Sequence, residues 1–320
     1  MWAQTLSAAG LFSLVDVPDA DISAGSQSQA LIELVAGGIC GSDLPLFRGV
    51  RPSRPAVVAG APGYPLHEIV GRVLKSDDDR LIPGTQVVGW ADALNGLCEK
   101  LVVAVDDVQE YDSGLSPTTA VMLQPLACVL SALAQLRDRI PDSACVIGLG
   151  PIGVLFCHAL KSLGVSRVIG VDPVDRTDVA GTFGVDDIVK DIARNWVAGL
   201  ADEERPELVV EAVGHQTATV ADAVEGVCVG GRILSFGVPD EEFYRFPMQR
   251  FLRKDATMWA GFTRDKQSAL RAASKYLTKH PELAESYVTD IFAASNAQAA
   301  FELASVPAPG RLKVVLDMSS

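Results

Sequence analysis

Cysteine is scarce and scattered. The 320-residue chain has six, at 40, 98, 128, 145, 157 and 228, and no two form a C-x-x-C pair. In a chain of this size they read as reduced thiols, most of them in the core, of a cytoplasmic protein rather than as a disulfide framework. Lys and Arg are absent from the first 47 residues, so there is no positively charged segment of the kind a secretory signal needs. The longest apolar run, Cys145 to Cys157, has 13 residues and is broken by Gly and Pro. About 20 are needed to cross a bilayer, so neither a transmembrane helix nor a membrane partner is expected. Basic residues are outnumbered 27 to 40, for a net charge of −13. Without a basic stripe, nucleic acid is not expected as a partner. What the chain does have is apolar content: 48% hydrophobic residues, enough for a sizeable core in about two domains.

The N-terminal third is rich in Gly, Pro and short apolar runs. Leu31–Val35, Glu68–Leu74, Gln86–Trp90 and Leu101–Val105 read as strands between turns, with Pro83-Gly84 marking one turn. From Pro117 the character changes. Pro117–Leu136 has helical periodicity, and a β/α rhythm follows: strand Ala144–Ile147, helix Pro151–Leu163, strand Arg167–Val171, then strands Glu207–Ala212, Arg232–Phe236 and Thr257–Ala260 with helices between. Such alternation predicts parallel βαβ units. Asp265–His280 reads as a polar helix and Arg311–Asp317 as a strand. The fold class is therefore α/β: a β-rich unit over 1–116 and 287–320, split by an inserted doubly wound unit over 117–286.

The strand ending Val146-Ile147 runs into Gly148-Leu149-Gly150-Pro151-Ile152-Gly153, which opens a helix. This is the dinucleotide fingerprint in its required context. The first glycine permits the turn, the second lets the backbone approach a pyrophosphate, and the third lets helix and strand pack closely; the helix N-terminus favours the phosphates. Asp172 ends the next strand 24 residues after Gly148. An acid there accepts hydrogen bonds from the adenosine ribose and repels the extra phosphate of NADP, which favours NAD. Asp172 could instead cap a helix. Arg176 is placed to meet a ribose or phosphate, or to be an ordinary surface arginine.

Cys40 and His67 stand on loops beside the early strands, in Gly38-Ile39-Cys40-Gly41-Ser42-Asp43 and Leu66-His67-Glu68-Ile69-Val70-Gly71. A thiolate and an imidazole suit Zn²⁺. On spacing alone, a buried apolar thiol and a satisfied core histidine remain open.

The set of motifs goes further. GICGSD at 38–43, LHEIVG at 66–71, QPLACVL at 124–130, GLGPIG at 148–153, EAVG at 211–214 and GGRILSFG at 230–237 together resemble the zinc-dependent medium-chain alcohol and polyol dehydrogenases, in the family's order and over nearly the whole chain. The resemblance implies a GroES-like catalytic β-domain with an inserted Rossmann domain. It also implies hydride transfer between NAD(H) and a small alcohol or polyol or its carbonyl, and a homodimer or homotetramer. It assigns Cys40 and His67 to one catalytic zinc, Ser42 to proton relay, Asp43 to orienting His67, and Glu68 to the metal or its edge. Gly148 to Gly153, Asp172, Arg176, Val213 and Gly237 fall to the cofactor.

The chain departs from the family at four points. The usual third ligand, Cys, Glu or Asp, is Gln124. A neutral amide is a poor zinc ligand beside a carboxylate, so Glu68 is the expected third ligand, with Gln124 holding water. The relay histidine five residues after the zinc cysteine is Pro45. Leu66 replaces the glycine before the metal histidine. Only Cys98 remains of the family's four-cysteine lobe, so structural zinc is not expected. A zinc-free NADPH-dependent enone or quinone reductase and a non-catalytic NAD-binding module are the alternatives these departures keep open. Phe47, Arg48, Tyr64 and Trp90 are candidate pocket residues, and Arg48 and Arg51 candidate partners for a substrate anion. His158, His215 and His280 read as packing, surface and helix-end residues.

Overall fold

A computed structural model describes residues 1–23, 27–51, 57–136 and 139–319. They form two compact units, one of 1–127, 265–306 and 311–320, the other of 128–264 and 307–310.

The first unit is β-rich, as its turn-punctuated apolar runs predict. Its strands are β1 (Trp2–Ala8), β2 (Leu11–Asp16), β3 (Gln29–Gly38), β4 (Glu68–Ser76), β5 (Gln86–Trp90), β6 (Lys100–Ala104) and β7 (Val108–Glu110), joined after the second unit by β14 (Val288–Ala293) and β15 (Lys313–Asp317). The first two make a hairpin; the rest form one sheet in the order β14-β15-β3-β4-β5-β7, with β6 on β3. Alternation along β3 buries Ala30, Ile32, Leu34 and Ala36, the period-2 pattern of a sheet with one apolar face. Phe47 is buried and rings it meets are Phe12 and Phe301, at 5.3 and 5.1 Å between centroids. It belongs to the core, not to a pocket lining. Truncating such a ring costs about 3–5 kcal/mol, so Phe47 pins the short helix Asp43–Phe47 that carries Asp43.

The second unit holds β8 (Ser143–Ile147), β9 (Arg167–Val171), β10 (Asp187–Val189), β11 (Leu208–Glu211), β12 (Arg232–Ser235) and β13 (Thr257–Ala260). All pair in parallel, in the order β10-β9-β8-β11-β12-β13. Counted within the unit this is 3-2-1-4-5-6, the doubly wound dinucleotide-binding order, whose switch point lies between its first and fourth strands. The interior strands are fully apolar runs: Ala144, Cys145 and Val146, and Leu208, Val209 and Val210, are all solvent-inaccessible, as a sheet covered on both faces requires.

The unit boundaries differ from those read at 116/117 and 286/287. Helix Lys266–Lys279 is docked within the first unit: Lys266 Nζ pairs with Asp92 at 2.6 Å and Asp107 at 2.7 Å, and Gln267 Nε2 donates to the carbonyls of Val105 and Val108. Residues 307–310 go to the second unit, where the Ala308 carbonyl accepts from Arg176 and the Gly310 amide donates to Asp178. The helical stretch Pro117–Leu136 is long and apolar enough to cross a membrane by composition, but 67% of its 18-residue apolar window is buried inside the protein. It is also not continuous, since regular helix covers Pro117–Ala120 and Leu123–Leu133.

Candidate functional site

Strand register brings the sequence-distant ligands together. In the antiparallel pair β3–β4, Gly38 lies opposite Glu68. Cys40 follows the end of one strand by two residues and His67 precedes the start of the other by one. The result is a cluster in which the ligand atoms of Cys40, His67 and Glu68 all lie within 4.8 Å of one another.

Asp43 holds the cluster. Its Oδ1 is 2.7 Å from His67 Nδ1, and its Oδ2 accepts from the Cys40 amide at 2.9 Å. Asp43 is itself solvent-inaccessible. With Nδ1 committed to a carboxylate, Nε2 is the imidazole nitrogen left for an ion, the usual way a protein fixes a ligand histidine. Burial works against a charged ring here, but the charge and hydrogen bond of Asp43, then contact with Cys40, outweigh it and hold the His67 pKa well above its ordinary value. Ser42 sits at the start of the helix and its hydroxyl makes no capping bond. A sulfur, an imidazole nitrogen and a carboxylate oxygen within one ion's reach form the donor set of a catalytic zinc site that keeps its fourth position open; the residues present fit the ion. Gln124 is buried at the start of the helix Leu123–Leu133.

In the second unit, β8 runs into the glycine turn. Gly148 has φ +91°, and a Cβ at Gly153 would lie 1.8 Å from the Gly148 carbonyl oxygen. A Cβ at Gly150 would meet nothing within 4 Å. Two glycines are thus fixed by the protein's own packing, while the middle one faces open space, the arrangement a pyrophosphate needs. Gly150 begins the helix Pro151–Ser162 without a side-chain cap, leaving amides for phosphate oxygens. Asp172 accepts from the Leu149 amide at 2.7 Å and from the Val174 amide at 2.8 Å, so it braces the turn and the loop after β9 and caps no helix. Arg176 is not a surface residue: it is 2% exposed and donates to the Ala308 carbonyl. Val213 is exposed and its Cγ2 lies 2.6 Å from where a Cβ on Gly148 would stand. Glu211 is buried and gathers the Val213 and Gly214 amides and the Thr219 hydroxyl, while Gly237 packs against the Gly214 amide with no room for a Cβ.

A profile of the alcohol dehydrogenase GroES-like domain matches residues 26–134, and one of the zinc-binding dehydrogenases matches residues 151–279. The chain belongs to the zinc-binding alcohol and polyol dehydrogenase family. It is similar to the glucose 1-dehydrogenase of Metallosphaera sedula, 23% identical over 358 residues and covering 96% of each chain. It is also similar to the sorbitol dehydrogenase of Bombyx mori, 24% identical over 85% of this chain and 87% of that one. The structure of alcohol dehydrogenase TADH from Thermus sp. ATN1 superposes with a TM-score of 0.79 at 25% identity, over 99% of this chain and all of that one. As a member of this family the protein is an oxidoreductase of alcohols or polyols.

One residue beside the candidate cluster was not legible in the sequence. Lys313, the first residue of β15, is 2% exposed and its Nζ stands 2.5 Å from Glu68 Oε2. A lysine at a strand start reads as solvated; only the pairing of β15 with β3, which sets Val315 opposite Gly38, carries it inward. Of the candidate pocket residues, Arg48 is exposed and donates to the Ser305 carbonyl, and Trp90 is buried beneath Lys266 Nζ, 5.5 Å from its ring centre. Tyr64 is buried with no hydrogen-bond partner for its hydroxyl among the described residues; burial, then the Asp43 charge, pushes its pKa up to about 12. Cys145 and Cys157 are buried as expected, whereas Cys128 and Cys228 are only half-buried.

Proposed function

We propose that the protein is a zinc- and NAD-dependent dehydrogenase of a small polyol. The observation that carries this reading is the Cys40–His67–Glu68 cluster with Asp43 behind it, in a chain that also keeps the full glycine turn. When bound, zinc supplies a Lewis acid that makes a substrate hydroxyl acidic near neutral pH, and NAD supplies the hydride acceptor.

The protein's own part is placement. Cys40, His67 and Glu68 would hold the ion, and Asp43 fixes the imidazole through Nδ1, which leaves Nε2 for it. Ser42, with its hydroxyl uncommitted to capping, relays the substrate proton, accepting it on Oγ as its own hydrogen passes to water. Gly150 admits the pyrophosphate and Val213 offers an apolar surface beside the turn. Asp172, the residue after β9, disfavours a 2′-phosphate by charge, which favours NAD over NADP. Gln124, buried and neutral, replaces an ionic ligand and leaves Glu68 as the carboxylate donor. The relatives named for glucose and sorbitol support a polyhydroxylated substrate. Six free cysteines support a reducing compartment such as the cytoplasm, and family habit supports a homodimer or homotetramer.

The test is absorbance of NADH at its reduced-nicotinamide band with a panel of polyols and their ketones, with and without a chelator. The reading requires turnover that stops on chelation and returns with zinc; turnover indifferent to chelator would contradict it.

A further inference from the structure

We propose that Lys313 is a positioning residue that competes with the metal ion for the Glu68 carboxylate, and so sets how tightly the ion is held. The inference rests on the zinc reading above.

Lys313 and Glu68 are 2% and 0% exposed, and Nζ lies 2.5 Å from Oε2. Nζ also donates to the Ile39 carbonyl at 3.1 Å, one residue before Cys40. The pair occupies space that only a glycine at 38 leaves open: a Cβ there would lie 2.2 Å from Glu68 Oε2, 2.4 Å from Val121 Cγ1 and 3.0 Å from Lys313 Cε. Both carboxylate oxygens are buried and neither has a hydrogen-bond partner among the described residues: Oε2 has the ammonium beside it as an ion pair. Yet this is the carboxylate within 4.8 Å of the Cys40 sulfur and the His67 imidazole.

One carboxylate therefore faces two cations. Without an ion, Glu68 and Lys313 form a neutral buried pair, which is the condition under which either charge is tolerated inside a protein. With an ion, Glu68 is shared: Oε2 stays under the ammonium and Oε1 is left for the metal. The ammonium also repels the dication directly, and at such depth the repulsion is weakly screened. Gln124, being neutral, adds no charge to offset it; the buried acid that remains, Asp43, is committed to His67 and the Cys40 amide. The lysine thus keeps the ion-free protein folded and makes the ion easier to lose.

The experiment measures zinc affinity by competition with a chromophoric chelator, for wild type, Lys313→Met, Lys313→Gln and Lys313→Arg. Melting temperatures of the ion-free proteins and visible spectra of the Co²⁺-substituted forms accompany it. Lys313→Gln keeps a donor for the Ile39 carbonyl, which separates loss of that bond from loss of charge. Expected for Lys313→Met and Lys313→Gln is tighter zinc binding, about tenfold or more on the scale of partners that act behind metal ligands, a lower ion-free melting temperature, and a shifted Co²⁺ spectrum. Lys313→Arg should bind zinc as wild type does. Wild-type affinity and an unmoved Co²⁺ spectrum in all three variants would overturn the proposal while leaving the zinc reading intact. A wild type that takes up no zinc would overturn both.

Discussion

Asp43 and His67 are joined by a 2.7 Å contact between Oδ1 and Nδ1, and the second oxygen of the same carboxylate holds the Cys40 amide at 2.9 Å. One buried acid thereby sets the direction of two ligand residues that lie on different loops. Asp43→Asn keeps the shape and removes the charge. Zinc affinity should fall about 10- to 100-fold, read by chelator competition, with NADH affinity unchanged because the glycine turn belongs to the other unit. Unchanged zinc affinity would mean that Asp43 orients nothing.

The three glycines of the turn should separate by role. Gly153→Ala drives a methyl into the Gly148 carbonyl, an overpacking expected to cost about 1–3 kcal/mol and visible as a lower melting temperature without any cofactor. Gly150→Ala meets no protein atom. Its ion-free, cofactor-free stability should stay within about 0.5 kcal/mol of wild type, while NADH binding, read by fluorescence titration, weakens. Equal stability loss in both variants would contradict the reading of Gly150 as the pyrophosphate position.

Asp172 carries two backbone amides, on Leu149 and Val174, in addition to its proposed ribose contact. Asp172→Ser should therefore lower NADH affinity and raise NADPH affinity relative to it, with some loss of stability. Binding titrations with both nucleotides check this. A variant that keeps the wild-type preference, or a wild type that already prefers NADPH, would contradict the charge argument.

Alkaline stability offers a check on the core of the first unit. Burial, then the neighbouring Glu99, pushes the Cys98 thiol up to about 12, and burial pushes the Tyr111 phenol up to about 12 as well. Each group is held in its protonated form by the fold and ionises more readily in the unfolded chain. Their contribution is complete below their unfolded values and is lost as pH rises, from about 9 for the thiol and about 10 for the phenol. Cys98→Ala removes the first of these. Its melting temperature, lower at pH 7 through the lost side chain, should decline less between pH 9 and 10 than that of wild type. Parallel curves would mean that Cys98 is ionised no differently in the two states.

Much of the site was legible in residue order, and the reason is local. A glycine turn between strand and helix, and a thiol and an imidazole in tight polar loops, are written in contiguous residues. Asp43 was legible too, three residues from Cys40 in a turn where its carboxylate bonds back to that amide. Lys313 was not, because its burial depends on β15 pairing with β3, where Val315 lies opposite Gly38, far away in the chain. Phe47 was misread as a pocket residue for the same reason, since its partners Phe12 and Phe301 are distant in sequence. The hairpin β1–β2 was missed because Leu11 and Leu14 are exposed, which blurs the alternation that marks a strand. By its contacts helix Lys266–Lys279 groups with the first unit, and nothing in its own sequence shows that Lys266 meets Asp92 and Asp107.

The most direct test of the account is zinc content per chain by mass spectrometry after zinc-supplemented expression, for wild type, Cys40→Ala and His67→Ala, with NADH titration of each. The account predicts one zinc per chain in wild type, little in either variant, and the same NADH affinity in all three. A wild type without zinc, or variants that retain it, would contradict the claim that these two side chains share one ion.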